Sequence, residues 1–361
     1  MRTIVLLLMV SCNLYSQSDI YFVNASVGIE RIKTDGTGRQ IIIPWAITTS
    51  RSVALDTVNQ KLYWTDWIED KIYRADLDGS NKEPVVTTGL NLPEGLEIDS
   101  ENKKIYWVDS GTKKIQRADF DGSNVEDLVT YDLVNLDALA LDLAGGKIYW
   151  TEWGDGAALG KVSRANLNGS GEEELVVIPD GILKGISLDL EQGKIYWTDC
   201  SFNRVQRANL DGSNVEDVFS PGFGAPNAVD LDLLNGKVYW SDFSLKKIRR
   251  ANLDGTSVQD ILTTDVESLQ DIVLNIRDLE PVSSTNQREW EQGVFPNPAN
   301  DFLEIKGLGP EGEVFVFDQN GKNIMQVNGP LLKLDPLTTG VYLGKIKVKS
   351  GQIFSFRFTK I

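Results

Sequence analysis

The chain has 361 residues, a formal charge of −16 and no histidine. That length buries a sizeable core in more than one domain, and the missing histidines exclude imidazole acid–base chemistry and imidazole metal ligation. The acidity lies in residues 19–285, with 26 Lys and Arg against 44 Asp and Glu: a body that repels nucleic acid and anionic lipid, and that accords with cationic partners, divalent ions or plain solubility outside a cell.

Residues 1–17 read as a secretion signal. Arg2 supplies the charged start, Ile4 to Val10 a short apolar stretch, and Ser11 to Gln17 a polar exit with small residues. Seven apolar residues are too few to anchor in a bilayer, and no other stretch is long enough to span one. Cys12 stands where an acylated cysteine would, but Met9 departs from that pattern, so cleavage near Gln17 is expected. Only Cys200 then remains, and no intramolecular disulfide can form.

From Asp19 the chain is periodic. Lys61-Leu62-Tyr63-Trp64-Thr65-Asp66 recurs from Lys104, Lys147, Lys194 and Lys237, at spacings of 43, 43, 47 and 43 residues. A worn copy, Ile20-Tyr21-Phe22-Val23-Asn24, precedes them. Each period carries four strand signals, with turns such as Asp121-Gly122-Ser123-Asn124 before the last. Six periods of four antiparallel strands predict a six-bladed propeller. In Ile195-Tyr196-Trp197-Thr198 alternate side chains take opposite faces, so a large aromatic lies on each face and both faces must be covered by neighbouring blades. Trp64, Trp107, Trp150, Trp197 and Trp240 are therefore expected in the core.

Two polar positions also recur. Arginine is fourth in every third strand, at Arg31, Arg74, Arg117, Arg164, Arg207 and Arg250; acids end the Tyr-Trp strand at Asp66, Asp109, Glu152, Asp199 and Asp242. A group repeated once per blade suits blade-to-blade contacts. The arginines are expected to pair with these acids, which could otherwise accept backbone N–H groups.

The Tyr63-Trp64-Thr65-Asp66 and Tyr196-Trp197-Thr198-Asp199 motifs, with their Arg-Ala-Asn/Asp-Leu-Asp-Gly-Ser followers, resemble the low-density-lipoprotein-receptor class B (YWTD) repeats over about residues 19–276. Glu152 and Ser241 depart mildly, and no EGF-like module follows. The worn copy lacks an innermost strand, and Asp271-Ile272-Val273-Leu274-Asn275 matches that strand, so it is expected to close the ring.

Two sets of positions vary where their neighbours repeat, and strand direction puts both on one face. Arg51, Glu94, Asp137, Lys184, Asn227 and Gln270 lead into the inner strands; Ala25, Trp67, Ser110, Trp153, Cys200 and Phe243 follow the Tyr-Trp motifs. In the resembled propellers that face is the usual partner surface. Trp67, Trp153 and Phe243 read either as aromatic anchors for a protein, peptide or glycan, or as local plugs. Glu69, Asp70, Glu94, Asp137 and Asp155 would attract a Lys- or Arg-bearing partner or stand as solvated charges. The alternative is a cation-dependent hydrolase, lactonase or lyase, with a channel calcium ion ligated by Glu94, Asp137 and Asn227. Cys200 reads as a small buried apolar residue. Asn168-Gly169-Ser170 fits a glycosylation triplet but is one of the repeated turns.

Residues 278–293 read as a linker. Beyond them Val314-Phe315-Val316-Phe317, an Asn320-Gly321-Lys322 turn and Phe354 to Ile361 predict a small β-sandwich over 294–361. Pro296, Asn297, Pro298, Gly340 and Tyr342, within Phe295-Pro296-Asn297-Pro298-Ala299 and Leu337-Thr338-Thr339-Gly340-Val341-Tyr342, carry a resemblance to the C-terminal sorting domain of the type IX (Por) secretion system of Bacteroidota. It implies export through that machinery, then removal of the tail with release or surface attachment. The reading is an all-β protein, a six-bladed propeller over 18–277 plus a sandwich. It is secreted or displayed on the surface of a Gram-negative bacterium, is not an enzyme, spans no membrane and takes no nucleic acid.

Overall fold

The structure, a computed structural model, describes residues 18–44, 49–131, 135–153, 159–219, 224–264 and 266–276, then 294–295, 302–305, 313–317, 323–334, 337, 340–347 and 353–360. The chain divides into two compact units, 1–276 and 277–361. No helix of the described residues is long and apolar enough to cross a membrane.

In the first unit the described strands form six antiparallel sheets of four. Blade 2 is typical: Ser50–Asp56 is innermost, followed outward by Lys61–Asp66, Lys71–Asp76 and Glu83–Val86. Blades 3 to 6 repeat it over 93–130, 135–178, 183–219 and 226–262. Blade 1 has Asp19–Asn24, Gly28–Lys33 and Gln40–Pro44, and takes its innermost strand, Leu269–Asn275, from the far end of the unit. Ile20 stands opposite Leu274 and Phe22 opposite Ile272, so the expected closure is present.

The two-faced Tyr-Trp strand explains the stacking. Tyr63 packs in one cluster with Trp107 of the next blade, Tyr106 with Trp150, Tyr149 with Trp197 and Tyr196 with Trp240. Across the closure Tyr21 meets Trp64, and Tyr239 meets Phe22. All five tryptophans are fully buried. Large side chains buried this way stabilise by roughly 2–3 kcal/mol each, so every blade interface carries its own core.

The recurring arginines do not meet the strand-end acids. Register puts Arg74 opposite Tyr63 and Glu83, three residues and so roughly 10 Å along the strand from Asp66. Its Nε donates to Glu83, 2.6 Å, and its Nη1 crosses to the Phe120 carbonyl of blade 3, 2.9 Å. Arg117, Arg164 and Arg207 repeat this with Glu126, Glu173 and Glu216 and the carbonyls of Leu167, Leu210 and Leu253. Arg250 reaches Thr34 of blade 1, 3.0 Å. The acids instead accept N–H groups: Asp109 from Thr112 and Asn91, both 2.8 Å, and Asp242 from Leu245 and Ala225. Glu152 accepts from Trp150 Nε1 and Ser163 Oγ. Asp199 is paired with an arginine, but with Arg204 at the strand start, 3.1 Å away. In the third-to-fourth-strand turn, Gly122 has φ +79°, and a Cβ there would lie 1.9 Å from the Val85 carbonyl of the preceding blade. That position therefore needs glycine twice over.

In the second unit Val294–Phe295, Phe302–Ile305 and Leu331–Lys333 form one antiparallel sheet. Asn323–Asn328, Glu313–Phe317, Gly340–Lys347 and Ile353–Lys360, in that order, form another. Leu303, Ile305, Leu332, Val314 and Val316 are buried. Gly340 stands opposite Lys360 and Tyr342 opposite Phe358; Lys360 Nζ donates to the carbonyls of Leu334 and Leu337. The expected signal, the linker, and Pro296, Asn297 and Pro298 lie outside the described residues.

Candidate partner-binding face

Every innermost strand is out of register with its neighbour near its start. In blades 2 to 6 the shift falls between Ser50 and Val53, Pro93 and Leu96, Leu136 and Leu139, Leu183 and Ile186, and Pro226 and Val229. In blade 1 it falls opposite Gln270 and Asp271. Such bulges re-aim side chains, and the re-aimed residues are Arg51, Glu94, Asp137, Lys184, Asn227 and Gln270. The hydroxyl of the Tyr-Trp-Thr-Asp motif holds them. Thr65 Oγ1 accepts from the Ser52 N–H of its own bulge and donates to the Glu94 carbonyl of the next, 3.1 and 2.9 Å. Thr151 Oγ1 donates to the Lys184 carbonyl, and Thr198 Oγ1 to that of Asn227.

All six bulge residues, with Trp67, Ser110 and Trp153, line a single cavity of about 520 Å³. It shares Ser52, Gly95, Ala138, Gly185 and Asp271 with a deeper channel space of about 290 Å³, bounded by the innermost strands of all six blades. Three expected residues, Ala25, Cys200 and Phe243, are not part of this lining. Cys200 donates its thiol to the Pro226 carbonyl, and burial pushes it up to about 12, so it is no reactive thiolate. Phe243 is exposed.

The mouth is charge-balanced rather than acidic. Lys184 Nζ lies 2.5 Å from Asp137 and 4.9 Å from the Trp153 ring centroid. Arg51 Nε is 3.8 Å from Glu94, its Nη1 donates to Gln270 Oε1, and its guanidinium lies 4.5 Å from the Trp67 ring centroid. Asp271, on the floor, is satisfied by Ser52 Oγ and the N–H groups of Val53 and Ile272. Net charge sums over the whole surface, and here basic side chains gather where the bulges converge. Of the other acids expected to attract a cation, Glu69 is held by Lys71 and Tyr73, and Asp70 accepts from the Leu92 N–H; Asp155 lies outside the described residues.

Burial, then the Asp137 carboxylate, push Glu94 up to about 7 against the pull of Arg51 and Lys184. Deeper in, burial and the neighbouring Asp230 and Asp271 push Glu97 up to about 8; Asp230 and Asp271 themselves rise to about 6, chiefly through burial. Calcium does not fit Glu94, Asp137 and Asn227, because Lys184 is paired with Asp137 and the Arg51 guanidinium stands 3.8 Å from Glu94, so two fixed cations repel a third. Among the described residues no group of three or more Cys, Asp or Glu is disposed to hold a metal ion.

Leu92, Lys113 and Asn135 also line the cavity and were not expected from sequence. Lys113 Nζ donates to Asn135 Oδ1, 2.9 Å. Leu92 has φ +56°, a strained value for a branched residue, and is held there through Asp70. Leu92 and Lys113 sit in loops without a repeat signature, and Asn135 opens the innermost strand of blade 4 two residues ahead of Asp137; only the variability of the Ser110–Lys113 stretch could have pointed to one of them.

Comparison with known families places this geometry. The family described as low-density lipoprotein receptor repeat class B matches residues 60–99, 103–143, 193–233 and 236–274. The chain carries class B repeats. Its class B propeller is followed by a match to a secretion system C-terminal sorting domain over 293–356, which marks a secreted protein. Among solved structures, a chain of a nidogen–laminin complex aligns at 22% identity and TM-score 0.65, covering 72% of this chain and 98% of that one. A putative TolB from Agrobacterium tumefaciens aligns at 12% identity and TM-score 0.56, covering 72% and 97%. A gluconolactonase from Xanthomonas campestris aligns at 17% and 0.53, covering 70% and 86%. At such identities these likenesses concern the fold.

Proposed function

We propose that this is an exported binding protein whose class B propeller takes an extracellular protein, peptide or glycan on the face around the channel mouth. The type IX machinery reads residues 294–361 as its address, residues 1–17 direct the first export step, and the product is released or held at the outer-membrane surface. One observation carries the reading: nine side chains singled out by their variability on a repeated scaffold, drawn from all six blades, border one cavity. Propellers hold loops and bulges rigidly, which suits recognition. The nidogen–laminin relative supports a binding role at the level of shape.

The test is capture of surface components by the full-length chain beside its Trp67→Ala plus Trp153→Ala variant. Loss of capture in a variant that still melts cooperatively supports the face; equal capture removes it. Turnover of a sugar lactone by the same preparation, dependent on added calcium, would favour the hydrolase reading that the gluconolactonase likeness raises.

A further inference from the structure

Resting on the binding reading above, we propose that the mouth cavity accepts an acidic sugar residue of the hexuronic class, a carboxylate flanked by hydroxyls, rather than the cationic group that the chain's net charge suggests. Four observations converge on that chemistry.

The cavity, about 520 Å³, lies within the range of small-ligand sites, roughly 300–1,000 Å³, and admits a single sugar ring with part of a second. Its three cations are unequally matched. Lys184 has a close carboxylate in Asp137. Arg51 meets Glu94 only at 3.8 Å, beyond hydrogen-bond range, and its one hydrogen bond into the mouth goes to a neutral amide, Gln270. Lys113 bonds to another neutral amide, Asn135, and makes no ion pair among the described residues. Arg51 and Lys113 therefore retain charge for an incoming carboxylate.

Acceptors are also left open. Glu94 accepts no hydrogen bond among the described residues although its side chain is only 20% exposed. Asn227 uses its Nδ2 on the Gln270 carbonyl and keeps its Oδ1. Both groups are part-exposed in the mouth, so a ligand that brings O–H or N–H groups as well as a carboxylate would take the place of water on them. A bare aspartate or glutamate side chain brings none. Hydroxyls both donate and accept, which matches a lining of mixed carboxylates and amides. Trp67 and Trp153, from blades 2 and 4, supply flat apolar surface for the C–H face of a sugar ring.

Titration calorimetry of the full-length chain with glucuronate and galacturonate, beside glucose, galactose and a short aspartate-containing peptide, tests this. The expected result is at least tenfold tighter binding of a uronate than of its neutral parent. Lys113→Met should cut that preference several-fold, Arg51 still offering its charge, and Trp153→Ala should weaken uronates and neutral sugars alike. Among the described residues the Lys113 side chain makes one hydrogen bond, to Asn135, and a melting curve checks that the blades stay intact in its absence. Equal affinity for neutral sugars, unaltered uronate binding in Lys113→Met, or binding of the peptide alone would each overturn the inference. If uronates fail while the double tryptophan variant still loses capture of another partner, the acidic-sugar assignment falls and the binding face stands. If that variant captures normally, both fall.

Discussion

Thr198 Oγ1 donates to the carbonyl oxygen of Asn227, 2.7 Å away on the following blade. The third residue of the Tyr-Trp-Thr-Asp motif therefore fastens the bulge from which Asn227 enters the mouth. Thr198→Val keeps the shape, removes the donor and leaves a buried carbonyl unmet, at a cost of about 1–2 kcal/mol. The urea midpoint should fall accordingly; Asn227→Ala spares this carbonyl and gives up its own Nδ2 bond to the Gln270 carbonyl instead, so the two losses should add in the double variant. Blade 3 already carries Val108 at this position, fully buried, so the loss should be tolerated rather than prevent folding. An unaltered midpoint in Thr198→Val would show that the contact contributes nothing.

Glu94 makes stability pH-dependent. Its ordinary value is 4.5, and burial followed by Asp137 raises it to about 7. Well below 4.5 the carboxyl is protonated in both folded and unfolded chains. Between the two values the unfolded chain releases its proton while the folded one retains it, so stability falls as pH rises and levels off above about 7. The full loss from this group is roughly 3 kcal/mol. Glu97, pushed to about 8 by burial and then by Asp230 and Asp271, extends the decline upward. Urea unfolding of Glu94→Gln should give a flatter profile across that window; a profile parallel to wild type would contradict the assignment.

Lys184 and Asp137 form the tightest charge pair of the mouth, 2.5 Å apart and both largely buried. Asp137→Ala strands an ammonium against Trp153 and should cost about 3 kcal/mol. Lys184→Met added to it removes the stranded charge and should recover most of that loss. A double-mutant cycle by urea unfolding measures the coupling, and strict additivity would mean that solvent screens the pair.

Repetition made most of the fold readable. A period in the low forties, aromatics on both faces of one strand and an orphan strand at Asp271–Asn275 specify six blades and their closure, because each blade solves the same burial problem. The same repetition misled on Arg74 and its copies: a recurring arginine and a recurring acid invite pairing, while register sends the arginine across the sheet to Glu83 and the next blade's Phe120. The mouth was half readable. Arg51, Glu94, Asp137 and Lys184 stood out as variation on a constant frame, but the pairing of Lys184 with Asp137 and the looser approach of Arg51 to Glu94 depend on where the bulges converge. Lys113 and Leu92 lie in loops whose paths no periodic pattern encodes, and Asn135 comes from an extension of the innermost strand of blade 4 that the other blades lack.

The closure strand gives the sharpest test of the architecture. Leu269, Ile272 and Leu274 are buried in one cluster with Ile20, Phe22 and Tyr239, and Gln270 on the same strand accepts from Arg51 of blade 2. Three buried aliphatic side chains stabilise by about 2 kcal/mol each, some 6 kcal/mol together, which is comparable with the whole stability of a typical domain, roughly 5–15 kcal/mol. A chain ending after Leu262 also exposes an unpaired edge along Asp19–Asn24, which invites aggregation. Truncation after Ile276 should therefore preserve the cooperative melt of the propeller, while truncation after Leu262 should abolish it and yield aggregate. A cooperative transition surviving the shorter truncation would mean that blades 2 to 6 hold without a closed ring. The mouth, which takes one of its six bulges from that strand, would then have to be tested for binding in the open form.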